Sequence, residues 1–271
     1  MENFIFYIVL DFDLQTHICA KQAACFILGC QMKPDGCTQR AESVGETPLM
    51  AALAQRRNDT LSLVRAAIAR KALRLAYQPV VAVEPKQTGA ARRIVYHEAL
   101  IRILDEGGRV IPARDFIEVA ETCELGRQID CLALEMGLRA LADAPGLRLA
   151  INMSARSIGY PSWRATLEHG LALDHTIAER LILEITESSA MLLPEMVSVF
   201  MRELQGRGIT FALDDFGNGH TAFRYLRDFY FDLLKIDGQF IRGIEANPDN
   251  QVLAEALISI ARHFGMLTVA E

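Results

Sequence analysis

The chain has 271 residues, of which 51% are hydrophobic and 23% charged, and its formal net charge is −6. That length and composition fit one large globular domain, or two small ones, with a sizeable buried core. The acidic balance argues against a nucleic-acid polymer as partner, because neutralising a run of phosphates needs a basic surface. A small phosphorylated ligand held by a few placed cations stays open.

Residues 1–58 read as an unassigned N-terminal segment or linker. Phe4–Leu10 is apolar but short, lacks a basic flank and runs into Asp11 and Asp13. It reads as a strand or a processing artefact and not as a signal peptide. No apolar run reaches the roughly 20 residues that span a bilayer, and a cytoplasmic location is expected. Cys19, Cys25, Cys30 and Cys37 crowd the segment, with Cys123 and Cys131 further on, but no CxxC pair occurs. Unpaired thiols in a reducing compartment are favoured over a zinc site. Lys33-Pro34-Asp35-Gly36 marks a turn.

A domain is expected over 59–271. Asn58 or Asp59 can cap a helix carrying Leu61, Val64, Ala67 and Ile68. Short β-type runs then alternate with longer helical patterns. The runs are Leu73–Val83, Arg93–Leu104, Leu147–Met153, Arg180–Thr186, Ile209–Asp214, Leu233–Asp237 and Met266–Glu271. The helical stretches are Ala113–Ala144, Trp163–Leu173, Glu195–Arg207, Thr221–Phe229 and Asn250–Phe264. This alternation predicts an α/β fold, a mostly parallel sheet with helices outside it, closing most naturally into a (β/α)₈ barrel. A doubly wound open sheet is the alternative, without the GxGxxG that a dinucleotide site would want.

Polar residues recur at or near the strand ends, where a barrel places its site. Glu98, Asn152, Glu184, Asp214, Asp215, Lys235 and Glu271 form the convergent set. A carboxylate at the end of a buried strand is costly unless paired or bound to metal. One alone is more often a salt bridge or a cap. Several converging on one mouth, all with oxygen donors, suit Mg²⁺ or Mn²⁺ rather than zinc. Adjacent Asp214 and Asp215 suit a two-metal site able to act on a phosphate ester.

At these residues the chain resembles the EAL-domain family. The motifs stand as Tyr77-Gln78-Pro79, Glu98-Ala99-Leu100-Ile101-Arg102, Asn152-Met153-Ser154, Glu184-Ile185-Thr186-Glu187, Asp214-Asp215-Phe216-Gly217-Asn218-Gly219, Lys235-Ile236-Asp237 and Ala270-Glu271. The resemblance covers about residues 60–271. It implies a modified, TIM-like (β/α)₈ barrel with one antiparallel strand, hydrolysis of cyclic di-GMP to pGpG with two Mg²⁺ or Mn²⁺ ions, and a homodimer. By the same resemblance Glu98, Asn152, Glu184 and Asp214 match ligands of the first metal, and Asp215 serves the second. Lys235 matches a lysine on the attacking water, and Glu271 a glutamate beside the second metal. Gln78, Leu100 and Arg102 match dinucleotide contacts, and Glu187 matches the anchor of the loop after Asp214-Asp215.

Compared with the family, the chain is expected to lack its last strand and helix, which would leave an open seam in the barrel with unpaired strand edges. Thr221-Ala222 stands where Ser-Ser is common, His220 where an aromatic is common, Phe229-Tyr230 for Leu-Pro and Ile103 for Trp. A non-catalytic cyclic-di-GMP receptor and an inactive remnant are the competing readings. Retention of every metal ligand the chain is long enough to contain favours the hydrolase.

Overall fold

A computed structural model describes residues 6–9, 47–83, 93–217, 226–227 and 229–271. The four N-terminal cysteines, the turn at 33–36, Asn218 to Ala222 and most of the helix expected over 221–229 lie outside the described residues.

Helix α1 (Pro48–Ala69) begins well before the predicted cap at Asn58 or Asp59. The Oγ1 of Thr47 accepts from the amide of Met50 at 3.3 Å, and Pro48 takes the first helical position, where a missing N–H costs nothing. Asn58 and Asp59 ride exposed in mid-helix, where their weak helix propensity costs about 0.5 kcal/mol each.

The predicted strands all form. They are β2 (Leu73–Val83), β3 (Ile94–Leu104), β5 (Leu149–Asn152), β6 (Leu181–Thr186), β7 (Thr210–Phe216), β8 (Leu233–Ile236) and β9 (Leu267–Ala270), with a short β4 (Val110–Pro112) on the edge of β3. Phe6–Val9, inside the apolar N-terminal run, forms β1. The sheet runs β2-β1-β9-β8-β7-β6-β5-β3, and β3 pairs back onto β2. It therefore closes on itself as a barrel of eight strands. β2 is antiparallel to both β1 and β3, and every other pairing around the ring is parallel. This is the expected modified barrel with one reversed strand.

The expected open seam is not what the pairing shows. β1 fills the place between β2 and β9, with Ile8 opposite Val81 on one side and Ala270 on the other. Its backbone pairs with strand edges that are costly to leave bare.

The helix predicted over Ala113–Ala144 is broken into a turn at Ala113–Asp115, α2 (Ile117–Ala120) and α3 (Glu124–Asp143). Cys123 is extended between them, and α3 starts so close to α2 that a Cβ on Gly126 would lie 2.5 Å from the Cα of Glu121. Then follow α4 (Pro161–Leu171), α5 (Ile177–Arg180), α6 (Glu187–Ala190), α7 (Pro194–Gln205) and a last long helix at Pro248–His263.

Strand alternation divides the apolar side chains into two cores. The larger one packs between sheet and helices and includes Leu149, Ile151, Leu183, Phe211, Leu213, Leu234 and Ile236. The smaller one fills the barrel interior with Val80, Ala82, Tyr96, Ala150, Ile182, Ala212, Leu233 and Val269.

Closure by β1 makes a prediction. Ile8→Pro removes a strand N–H and is expected to lower the Tm and to speed amide exchange at both Val80–Val83 and Thr268–Ala270. Wild-type exchange rates at both partners would contradict β1 as the closing strand.

Candidate active site

The interior core forms a floor, and two residues further along each strand stands the site. Tyr96, Ala150, Ile182, Ala212, Leu233 and Val269 lie in the floor. Glu98, Asn152, Glu184, Asp214, Lys235 and Glu271 each follow one of them by two positions, so all six share its face of the sheet. The convergent set predicted from sequence is thus one layer inside one barrel.

Its centre is Lys235, whose side chain is 1% exposed. The Nζ lies 2.8 Å from Glu271 Oε1, 2.9 Å from Asp214 Oδ1, 3.2 Å from Glu184 Oε2 and 3.3 Å from Glu98 Oε2. Asn152 Nδ2 donates to Glu98 Oε1 at 3.1 Å. Burial works against the ammonium, but Glu184, Asp214, Glu98 and Glu271 together outweigh it and hold its pKa well above the ordinary lysine value. Burial raises Glu184, with Lys235 opposing and Glu98 and Asp214 adding to the rise. Burial likewise pushes Glu271 up to about 8, against the pull of Lys235. The Tyr96 phenol is pushed up by burial first and by Glu184 next.

Neighbouring residues on a regular strand point to opposite faces, so Asp214 and Asp215 need a local device to meet. β7 supplies a register shift against β8 between Leu213 and Phe216, and Asp215 takes a left-handed φ of 55°. That conformation costs about 1 kcal/mol for a residue other than glycine, and bulges of this kind re-aim side chains. Asp215 N then donates to Asp214 Oδ1 at 3.0 Å. Burial, followed by Asp214 and Asp237, pushes Asp215 up to about 6. Gly217 follows with a φ of 97°, and a Cβ there would come within 2.5 Å of the Phe240 ring. Glu187, 5% exposed, accepts from Gly217 N at 3.2 Å and so ties α6 to this turn.

The residues present fit divalent cations. Carboxylate oxygens of Glu98, Glu184 and Asp214 lie within 4.8 Å of one another, and so do those of Asp214, Asp215 and Glu271. The two groups share Asp214. Glu184 Oε1 is buried with no hydrogen-bond partner. Five carboxylates against one ammonium leave four formal negative charges, the charge of two divalent ions. All donors are oxygen, which suits Mg²⁺ or Mn²⁺.

A cavity of about 280 Å³ opens above this layer, lined by Glu98, Leu100, Asn152, Thr186, Asp214 and Asp215. Of the three residues expected to contact a dinucleotide, Leu100 lines it. Gln78 and Arg102 do not. Gln78 pairs with Glu98 across β2 and β3, and Arg102 Nη1 donates to its neighbour's carbonyl, Ile101 O, at 3.0 Å.

Sequence reasoning missed a buried polar network beneath the β5 loop. Asp130 Oδ2 accepts from Ser154 N at 3.0 Å and from Ser157 Oγ at 2.6 Å. Ser189 Oγ, in the α6 turn behind Glu187, accepts from Ala155 N at 2.8 Å. The network ties the turn after Asn152 to both α3 and α6. Its signal was present: Asp130 interrupts the buried face of α3 formed by Gly126, Ile129, Ala133 and Gly137.

Comparison with known proteins gives a consistent picture. The family model described as EAL domain matches residues 62–271. The chain is 35% identical over 181 residues to the cyclic di-GMP phosphodiesterase PdeF of Escherichia coli, covering 65% of this chain and 24% of that protein. It is 29% identical over 209 residues to the cyclic di-GMP phosphodiesterase PdeB of Shewanella oneidensis, covering 76% and 24%. The chain thus spans about a quarter of the length of these curated relatives. Among solved structures, a PaMucR phosphodiesterase in complex with c-di-GMP matches with a TM-score of 0.68 at 28% identity, covering 78% of this chain and 85% of that one. The Xanthomonas citri FimX EAL domain, also bound to c-di-GMP, shares the fold with a TM-score of 0.67 at 24% identity, covering 81% and 85%.

Asp130 generates a pH prediction. Burial pushes it up to about 7, with the Ser157 and Ser154 hydrogen bonds only partly opposing. A carboxyl whose folded value exceeds its unfolded one, near 3.9, binds more protons when folded. Its stabilising contribution is full below about pH 4 and is lost as pH rises through 7. Asp130→Asn is therefore expected to flatten the fall of Tm between pH 5 and 8, and an unaltered slope would contradict the assignment.

Proposed function

The chain belongs to the EAL-domain family, and on that premise we propose that it hydrolyses cyclic di-GMP to linear pGpG with two Mg²⁺ or Mn²⁺ ions. The observation that carries this reading is the pair of oxygen-donor groups sharing Asp214, wrapped around a buried lysine. Glu98, Asn152, Glu184 and Asp214 would hold one ion, and Asp214, Asp215 and Glu271 the other. Bound there, such ions activate a water and neutralise charge on the phosphate.

The chain's own residues do the rest. Hydrolysis forms one P–O bond from water and breaks one ester P–O bond, leaving a 5′-phosphate and a free 3′-hydroxyl. Lys235 keeps an ammonium in a low-dielectric layer, where a charge aimed at the reacting water and at the developing phosphate charge counts most. Its salt bridges also hold four carboxylates in place before any ion arrives. Leu100 gives the cavity an apolar wall for a base, whereas Gln78 and Arg102, outside the cavity lining, would reach a dinucleotide only by turning toward it from β2 and β3. Glu187, through Gly217, keeps Asp214 and Asp215 turned inward.

No helix among the described residues is long and apolar enough to cross a membrane. The domain acts in the cytoplasm, where Cys123 and Cys131 remain thiols. It works as a homodimer, consistent with the exposed apolar side chains of Leu192, Leu193, Met196 and Val199 around the start of α7.

Incubation with cyclic di-GMP and Mn²⁺, followed by chromatography, tests the activity. pGpG is expected from the wild type, with a loss of at least ~100-fold in Glu98→Ala. Binding without turnover would make the domain a receptor, and undiminished turnover in Glu98→Ala would refute that residue's role.

A further inference from the structure

Among the described side chains of the interior floor Tyr96 carries the polar group; its neighbours there are Val80, Ala82, Ala150, Ile182, Ala212, Leu233 and Val269. Three of these neighbours are alanines, the smallest side chains in the floor. The residue is 3% exposed, and its hydroxyl is buried with no hydrogen-bond partner. Directly above the floor is Glu184, fully buried, with Oε2 on Lys235 at 3.2 Å and Oε1 unpartnered. A phenol is both a donor and an acceptor, whereas an ionised carboxylate oxygen only accepts. Among the described residues the floor and the layer above it thus each hold a buried unpaired oxygen, and the two have complementary needs. Of the charged groups acting on the phenol, Glu184 acts most strongly. A phenylalanine would fill an apolar floor without burying an unpaired hydroxyl, so packing alone does not account for tyrosine here.

We propose that Tyr96 is a positioning residue for Glu184, its O–H serving as the donor that fixes Oε1 across one enclosed water. Donors to the ligands of a metal site orient them and set metal affinity. The inference rests on the reading of this layer as a metal centre, and it adds a residue to that centre from the floor beneath it. Tyr96 touches neither substrate nor reacting atoms; it acts through Glu184.

The test is Mn²⁺ titration by calorimetry, with melting curves of the metal-free proteins alongside. Tyr96→Phe keeps the ring and removes the hydroxyl. It is expected to weaken Mn²⁺ binding about 10-fold while leaving the metal-free Tm equal to or above that of the wild type. In a Glu184→Ala background, which removes both side-chain oxygens, the same change is expected to have no further effect on Mn²⁺ affinity, because its target is gone. Tyr96→Met, which fills the floor without a hydroxyl, repeats the comparison should Tyr96→Phe fold poorly. Wild-type Mn²⁺ affinity in a folded hydroxyl-free variant would overturn this inference alone. Absence of Mn²⁺ binding by the wild-type protein would overturn the metal-centre reading and this inference with it.

Discussion

Mutual repulsion among carboxylates packed into one layer of a closed barrel is the constraint on which the rest of this structure turns. Glu98, Glu184, Asp214 and Glu271 come from four strands and converge on a space with little water. Such a layer holds together only with cations inside it. Lys235 is the cation the chain itself supplies, within 3.3 Å of all four. One ammonium does not balance them. Burial raises Glu184 and Glu271, and their carboxylate neighbours add to the rise against the pull of Lys235. A layer left so far from neutral costs stability in the metal-free state, and that cost is what two divalent ions would relieve.

The surrounding architecture serves to hold this layer in register. The strand period of two lifts each polar residue above an apolar floor residue, so one shift of register would turn the whole set outward. The bulge in β7 makes the single exception, turning Asp215 to join Asp214 at the expense of a left-handed backbone. Glu187 and Gly217 stabilise that turn from one side. Asp130, Ser157 and Ser189 brace the turn after Asn152 from the other. These buried hydrogen bonds lie outside the carboxylate layer and tie down the turns next to it.

Much of this was legible in the sequence because its signals are local. An apolar run ending in a carboxylate gives both a strand and its rim, so the seven predicted strands and the convergent set carried over to the structure. The less legible parts depend on distance or backbone geometry. Phe6–Val9 reads as a strand, but nothing local says that its partners are Val80–Val83 and Thr268–Ala270. The start of α1 lay in Thr47-Pro48, a cap signal overshadowed by Asn58 and Asp59. The break inside 113–144 follows from close packing at Gly126 rather than from a proline. Asp130 and Tyr96 were visible as polar residues on buried faces. Their meaning came only with the partners that surround them, or that one of them lacks.

The central claim is that this interior layer gathers a pair of divalent ions about one shared carboxylate. Anomalous diffraction from crystals grown with Mn²⁺ tests it most directly. The account predicts two peaks, one on each side of Asp214, the first within reach of Glu98 and Glu184 and the second of Asp215 and Glu271. No peak in the barrel, or manganese bound only away from Asp214, would contradict it.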